Sequence, residues 1–165
     1  MSKYARVEYE RRFLLKENLS HLPLLDVKSI EDHYLLQAGL RLRKMGKAAP
    51  FTYKLTQKKP ITEGALSLHE ITTIYLTAES YQHLRESMAS FRLQKTRYYF
   101  QLGQHRVGVD EVLIDSEKLL IMEIEFGSLE EMQDFPVYGQ EVTHDLAYSG
   151  FTLAQKQQNE NTSKK

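Results

Sequence analysis

Apolar and charged residues alternate at every second position along most of this chain. Val7, Tyr9 and Phe13 are interleaved with Glu8, Glu10 and Arg12. Successive side chains of a β-strand point to opposite faces, so one face of this segment is charged and the other apolar. Glu123 and Glu125 stand in the same relation to Met122, Ile124 and Phe126, and Arg41 and Arg43 to Leu40 and Leu42. Lys54, Thr56 and Lys58 oppose Tyr53 and Leu55, while Lys95 and Arg97 oppose Thr96, Tyr98 and Phe100. Asp110 opposes Val109, with Gly108 and Arg106 on its own side, and Glu70 and Thr72 oppose Ile71 and Thr73.

The pattern predicts strands over about 3–13, 28–37, 39–45, 50–59, 66–77, 93–101, 105–114 and 118–126. Ala38-Gly39, Met45-Gly46-Lys47, Gln101-Leu102-Gly103-Gln104 and Asp115-Ser116-Glu117 suit hairpins, and Pro60 to Gly64 a longer loop. Eight mostly consecutive antiparallel strands favour a closed barrel over an open sheet. The expected class is α+β, mainly β, with a few peripheral helices. Thr77 can cap a helix over about 78–91, where Tyr81, Leu84, Met88 and Phe91 recur at helical spacing. Ser128 can cap a short helix through Glu130 to Gln133, ended by Pro136, and Asn18 to Leu25 suits a turn or a further helix. Helices packed outside would cover the apolar faces and leave the charged faces pointing in. Residues 1–154 read as one domain, and the polar tail Gln155 to Lys165 as disordered.

For one strand, a charged face is most simply a solvated face. Repetition of the doublets Glu-x-Glu, Arg-x-Arg and Lys-x-Arg favours another arrangement, in which the charges line a barrel interior. Such a tunnel would hold divalent cations on its carboxylates and a polyanion on its Arg and Lys side chains.

Composition sharpens this picture mainly by exclusion. With 165 residues the chain can bury a core as one domain, and 22 Lys+Arg against 22 Asp+Glu leave no net field to advertise nucleic acid or a membrane. Electrostatic specialisation must then be local. The absence of cysteine removes disulfides and thiolate ligands and suits a reducing compartment. No apolar run has transmembrane length and the charged start Met1 to Arg6 lacks a signal-peptide core, so the expected location is cytoplasmic. A homodimer stays open.

The six histidines, His21, His33, His69, His83, His105 and His144, show no metal-ligand spacing and read as structural or surface residues. The ten tyrosines read as packing groups, and Gly39, Gly46, Gly64 and Gly103 as turn glycines with no phosphate loop. Lys58-Lys59 reads most simply as a solvated strand end.

The charged doublets also resemble, in order, the motifs of the CYTH superfamily, the triphosphate tunnel metalloenzymes. Glu8-x-Glu10-x-Arg12 is similar to its Glu-x-Glu-x-Lys signature. Arg41-Leu42-Arg43, Tyr53-Lys54-Leu55-Thr56, Lys95-Thr96-Arg97-Tyr98, Val109-Asp110 and Glu123-Ile124-Glu125 follow. Gly139 to Asp145 and Tyr148 resemble its C-terminal segment, so the likeness covers about residues 3–154. It implies an eight-stranded tunnel that binds a triphosphate with Mg2+ or Mn2+.

On that resemblance, Arg12, Arg41, Arg43, Lys54, Lys95 and Arg97 would grip phosphoryl groups, with Lys58 and Arg106 as weaker candidates. Glu8, Glu10, Asp110, Glu123 and Glu125 would hold one or two metal ions, with Glu70 as a further ligand, and Glu8, Glu10, Glu123 and Glu125 would be catalytic. The expected reaction is metal-dependent hydrolysis of a phosphoanhydride, first of inorganic triphosphate. Nucleoside or thiamine triphosphatase, adenylate cyclase and a non-catalytic polyphosphate-binding module are the alternatives. Two positions depart from the family pattern: Arg12 replaces a lysine, and Glu70 is followed by Thr72 where many members carry a second acid.

Overall fold

The computed structural model describes residues 3–36, 39–61 and 67–163. Its eight long strands are β1 (Arg6–Leu15), β2 (Leu24–Leu35), β3 (Leu40–Gly46), β4 (Thr52–Pro60), β5 (Leu68–Leu76), β6 (Ser90–Leu102), β7 (His105–Ile114) and β8 (Glu117–Phe126). They close into an antiparallel barrel in the order β1-β5-β4-β3-β2-β6-β7-β8 and back to β1. Neighbours are thus less consecutive than the turn signals suggest. Two meanders, β2 to β5 and β6 to β8, are joined by the β2–β6 pairing, and β1 closes the ring.

β1 crosses the seam obliquely. Its first half pairs with β5, from Arg6↔Ile71 to Tyr9↔Leu68, and its second half with β8, from Tyr9↔Phe126 to Leu15↔Leu120. Where β5 ends, the short strand β9 (Gln140–Glu141) takes its place on Phe13 and Leu14. The β7–β8 turn carries Asp115 and Ser116 at positive φ, as a two-residue hairpin turn requires. Of the other turn signals, Ala38 and residues 62–66 lie outside the described residues.

Helices cover the apolar outer faces, as alternation predicts. α1 (Ala78–Ser87) starts at Thr77, whose hydroxyl accepts the Ser80 amide, and sets Tyr81 and Leu84 against Leu42, Tyr53 and Leu55. α2 (Leu129–Asp134) starts at Ser128 and sets Met132 against Phe13, Val107, Met122 and Ile124. Each such side chain, fully buried, is worth roughly 1.5 to 3 kcal/mol. The segment between β1 and β2 makes a turn closed by the Leu22 amide on the Leu19 carbonyl, not a helix.

Two expectations need correction. The helix after Thr77 stops at Ser87 and not at Phe91, because Phe91 belongs to β6 and packs with Leu93 against the C-terminal helix. The tail from Gln155 is not disordered: α3 (Gly150–Ser163) runs through most of it. The reason lies between β6 and β7, whose pairing stops at Thr96↔Glu111. Beyond that point the Gln157 amide accepts from the Gln94 amide and donates to the carbonyls of Gln94 and Leu113, acting as a substitute strand. Leu153 and Ala154 pack on Leu93, Val112 and Ile121, where the inward faces turn from charged to apolar. Among the described residues no helix is long and apolar enough to cross a membrane.

Candidate functional site

Paired residues of an antiparallel ladder share a face, so the register fixes what each strand presents to the interior. β1 presents Glu8, Glu10 and Arg12; β8 presents Glu123 and Glu125; β7 presents Asp110; β6 presents Lys95 and Arg97. β3 presents Arg41 and Arg43 and β4 presents Lys54, Thr56 and Lys58. Two cavities border these inward faces. One, of about 590 Å³, is lined by Glu10, Arg12, Arg41, Thr56, Lys58, His69, Lys95 and Glu123, with Leu35, Leu40, Leu146 and Phe151 forming an apolar wall. The other, of about 460 Å³, is lined by Lys28, Lys54, Arg97, Arg106, Glu123 and Glu125 with Tyr75 and Tyr99. Glu123 faces both.

Part of this charge is already paired. Asp110 accepts from Lys95 Nζ at 2.5 Å and from Arg97 Nε and a terminal Arg97 nitrogen at 2.5 and 2.6 Å. The same Arg97 nitrogen donates to Glu123. Gly108 leaves room for this guanidinium, since a Cβ there would come 3.1 Å from Arg97 Cδ. Asp32 and Arg43 form a buried two-pronged pair at 2.6 and 2.7 Å. Burial alone would raise the Asp32 carboxyl, but Arg43 and Arg41 outweigh it and hold it far below the usual range. Burial would likewise raise Glu123, and Arg97, Lys95, Arg12 and Lys58 bring it well below its ordinary value.

The rest is unsettled. Among the described residues, four buried side-chain atoms lack a hydrogen-bond partner: Glu8 Oε1, Arg12 Nε, Arg41 Nε and His69 Nδ1. All four belong to inward-facing residues: Arg12, Arg41 and His69 line the first cavity, and Glu8 pairs with His69. Glu8 Oε1 lies 2.6 Å from Lys58 Nζ, but the approach lacks hydrogen-bond geometry. Burial pushes the Glu10 carboxyl up, and the charges of Glu123 and Glu8 add to the push against Lys58 and Arg12. Burial, with Lys58 and Arg12, pushes His69 down to about 4. Tyr34, in the same cavity, is pushed up to about 12 by burial and by Asp32, so it remains a hydroxyl donor at neutral pH.

The sequence-predicted residues therefore do not all share one role. Glu70 does not face the interior: it pairs with Val7 and Lys59, which project outward, while His69, Ile71 and Thr73 take the inward face of β5. The inward phase shows in the Thr56 Oγ1 to Thr73 Oγ1 contact of 3.2 Å. Arg12 lines the cavity, but its terminal nitrogens donate to the carbonyls of Tyr148 at 2.8 Å and Thr143 at 3.1 Å. Glu125 lies half exposed at the second opening, 3.6 Å from Arg6. Lys54 sits there over the Tyr75 ring. Asp32, Tyr34 and His69 are interior residues that strand alternation alone did not single out.

Among the described residues no three carboxylate or imidazole groups converge as a ready-made metal centre. The donor chemistry nevertheless fits a hard divalent cation. A buried carboxylate oxygen without a hydrogen bond on Glu8 stands beside a Glu10 carboxyl whose charge is opposed by burial and by Glu123.

No protein-family model and no curated protein matches the chain. Solved structures do match. The hypothetical protein NE1496 is 26% identical, with a TM-score of 0.57, covering 89% of this chain and 97% of its own. A second structure, of the inorganic triphosphatase NE1496, is 24% identical over 89% of this chain and 93% of its own, with a TM-score of 0.57. Protein PH1819 from Pyrococcus horikoshii is 18% identical over 77% and 82% of the two chains, with a TM-score of 0.58. A Hippeastrum protein with a dominant triphosphatase activity is 12% identical over 76% and 82%, with a TM-score of 0.53. The fold of this chain is thus one that also serves triphosphatases.

Proposed function

We propose that the chain is a triphosphate tunnel metalloenzyme that hydrolyses a terminal phosphoanhydride, with inorganic triphosphate as its first substrate. The observation that carries this reading is the set of orphaned atoms. A buried polar group left without a partner costs about 1 to 3 kcal/mol, and more when charged. Here two guanidinium nitrogens, Arg12 Nε and Arg41 Nε, are left so in one cavity, and the nearby Glu8 Oε1 meets Lys58 without a hydrogen bond. A ligand bearing both signs satisfies all of them, and a cation-complexed polyphosphate is such a ligand.

A triphosphate carries about four negative charges near neutral pH and needs donors and cations to replace its water. Arg41 Nε has no competing partner and would donate to a phosphoryl oxygen. Lys95 at the first cavity and Arg97 at the second would extend the grip toward Lys54. Tyr34 would add a neutral donor. Glu8, Glu10 and Glu123 would hold Mg2+ or Mn2+, which when bound neutralises phosphoryl charge and acidifies a water molecule. Hydrolysis then depends on positioning and charge neutralisation, with no side-chain nucleophile.

The apolar wall of Leu35, Leu40, Leu146 and Phe151 favours a second reading, in which the triphosphate carries an organic group such as a nucleoside or thiamine. Phosphate release from tripolyphosphate, ATP and thiamine triphosphate, each with Mg2+ and Mn2+, separates the two. Cyclic AMP from ATP would indicate a cyclase, and binding without turnover a polyphosphate-binding module.

A further inference from the structure

Lys58 stands in a more telling place than a solvated strand end. It projects inward from β4, and its ammonium lies 2.6 Å from Glu8 Oε1 and 3.3 Å from Glu10 Oε2. Both carboxylates are buried. Their other cationic neighbours are more distant: Arg6 at 3.7 Å from Glu8, and Arg12 Nε at 3.7 Å from Glu10. Among the described residues, Lys58 is the one cation within 4 Å of both. The Lys58 to Glu8 contact is charge against charge, without hydrogen-bond geometry at Glu8 Oε1. The ammonium thus donates one long hydrogen bond, to Glu10 Oε2, and meets Glu8 by charge alone; so flexible a point charge can be exchanged for another cation.

We propose that Lys58 is a tethered counter-cation that occupies the Glu8–Glu10 metal position until a divalent ion displaces it. This rests on the metal-dependent reading of the tunnel. It adds that the protein carries its own competitor for the metal. A divalent ion alone must eject the ammonium from its carboxylates, so it binds weakly. A triphosphate offers the ejected ammonium new oxygen partners, so metal and triphosphate favour each other's binding. Lys58 is thereby a positioning residue for the metal.

The test is Mn2+ binding read by electron paramagnetic resonance, with no phosphate compound present. Lys58→Met should bind Mn2+ roughly tenfold or more tightly than the wild type, since a charge repelling the ion at close range is removed. Lys58→Gln should do the same, and Lys59→Met, on the outer face, should leave binding unchanged. Adding Glu10→Gln to Lys58→Met should abolish the gain. Equal, weaker or undetectable Mn2+ binding by folded Lys58→Met or Lys58→Gln overturns the proposal. In the wild type, saturating Mn2+ should increase acetylation of Lys58 relative to Lys59 by acetic anhydride, measured by mass spectrometry; no increase also overturns it. If these tests succeed and no triphosphate is hydrolysed, the enzymatic reading alone fails.

Discussion

Two regions of the same tunnel treat buried charge in opposite ways. On β2, β3, β6 and β7 it is neutralised by neighbours: Asp32 with Arg43, and Asp110 with Lys95 and Arg97. On β1, β3 and β5, Glu8, Arg12, Arg41 and His69 each keep a buried atom without a hydrogen bond, and the charge of Glu10 is opposed by burial, Glu123 and Glu8 against Lys58 and Arg12. The closed networks tie neighbouring strands together; the open set is where the proposed function would place its ligand. A buried pair that loses one partner leaves an uncompensated charge, whereas removing one of two repelling carboxylates relieves the fold.

The largest effect expected from this contrast is on turnover. Glu8→Gln or Glu10→Gln should lower phosphate release from tripolyphosphate about a hundred-fold or more, by removing charge needed when the phosphoryl group is transferred. Retention of full activity in either would end the metal assignment. The opposite region should respond in stability. Asp32→Ala or Asp110→Ala should each lose about 3 to 5 kcal/mol in urea unfolding, the usual cost of stranding a buried partner. A loss below 1 kcal/mol, on the order of a solvent-exposed ion pair, would mean the networks are not closed.

A smaller effect separates two roles for Arg12. Its terminal nitrogens tether Thr143 and Tyr148, in the segment that leads to the cavity wall at Leu146 and Gly150. Arg12→Lys should therefore cost roughly 1.5 to 3 kcal/mol of local stability, the worth of a charge-assisted hydrogen bond. Hydrogen exchange over residues 142–152 should rise accordingly. Unchanged exchange with impaired substrate affinity would return Arg12 to direct phosphate binding.

His69 supplies a pH signature. Its folded pKa, about 4, lies below its ordinary 6.5, so between these values the unfolded chain binds more protons. Stability should rise with pH across that window and fall as pH drops through it. His69→Gln should flatten this rise in thermal melts from pH 4 to 6.5; an unchanged slope would locate its source elsewhere. Smallest of all is Glu70→Gln. An outward glutamate away from the cavity should change stability by no more than about 0.5 kcal/mol, with phosphate release unaltered.

The strands and their charged phase were legible because the doublets on β1, β3, β6 and β8 leave one consistent assignment of faces. On β5 the sequence Leu68-His69-Glu70-Ile71 offers a polar residue in each phase, and the carboxylate drew the reading to the wrong one. Only pairing with β1 and β4 decides between them. Asp32 was hidden in the same way, inside the polar run Glu31-Asp32-His33. α3 was missed because its order comes from Gln157 inserting between β6 and β7 and from Leu153 and Ala154 meeting the apolar end of the barrel. Neither contact has a local signature. The division between paired and orphaned charge is likewise a property of three-dimensional neighbours.

The most direct test of that division is the urea unfolding free energy of Glu10→Gln. If burial, Glu8 and Glu123 oppose the charge of Glu10 more than Lys58 and Arg12 support it, the substitution should leave stability equal to or above the wild type, gaining up to about 3 kcal/mol if a repulsion across roughly 6 Å is relieved at an effective dielectric near 20. A loss of about 3 kcal/mol or more, the scale of a broken buried ion pair, would contradict the account by making Glu10 part of the scaffold.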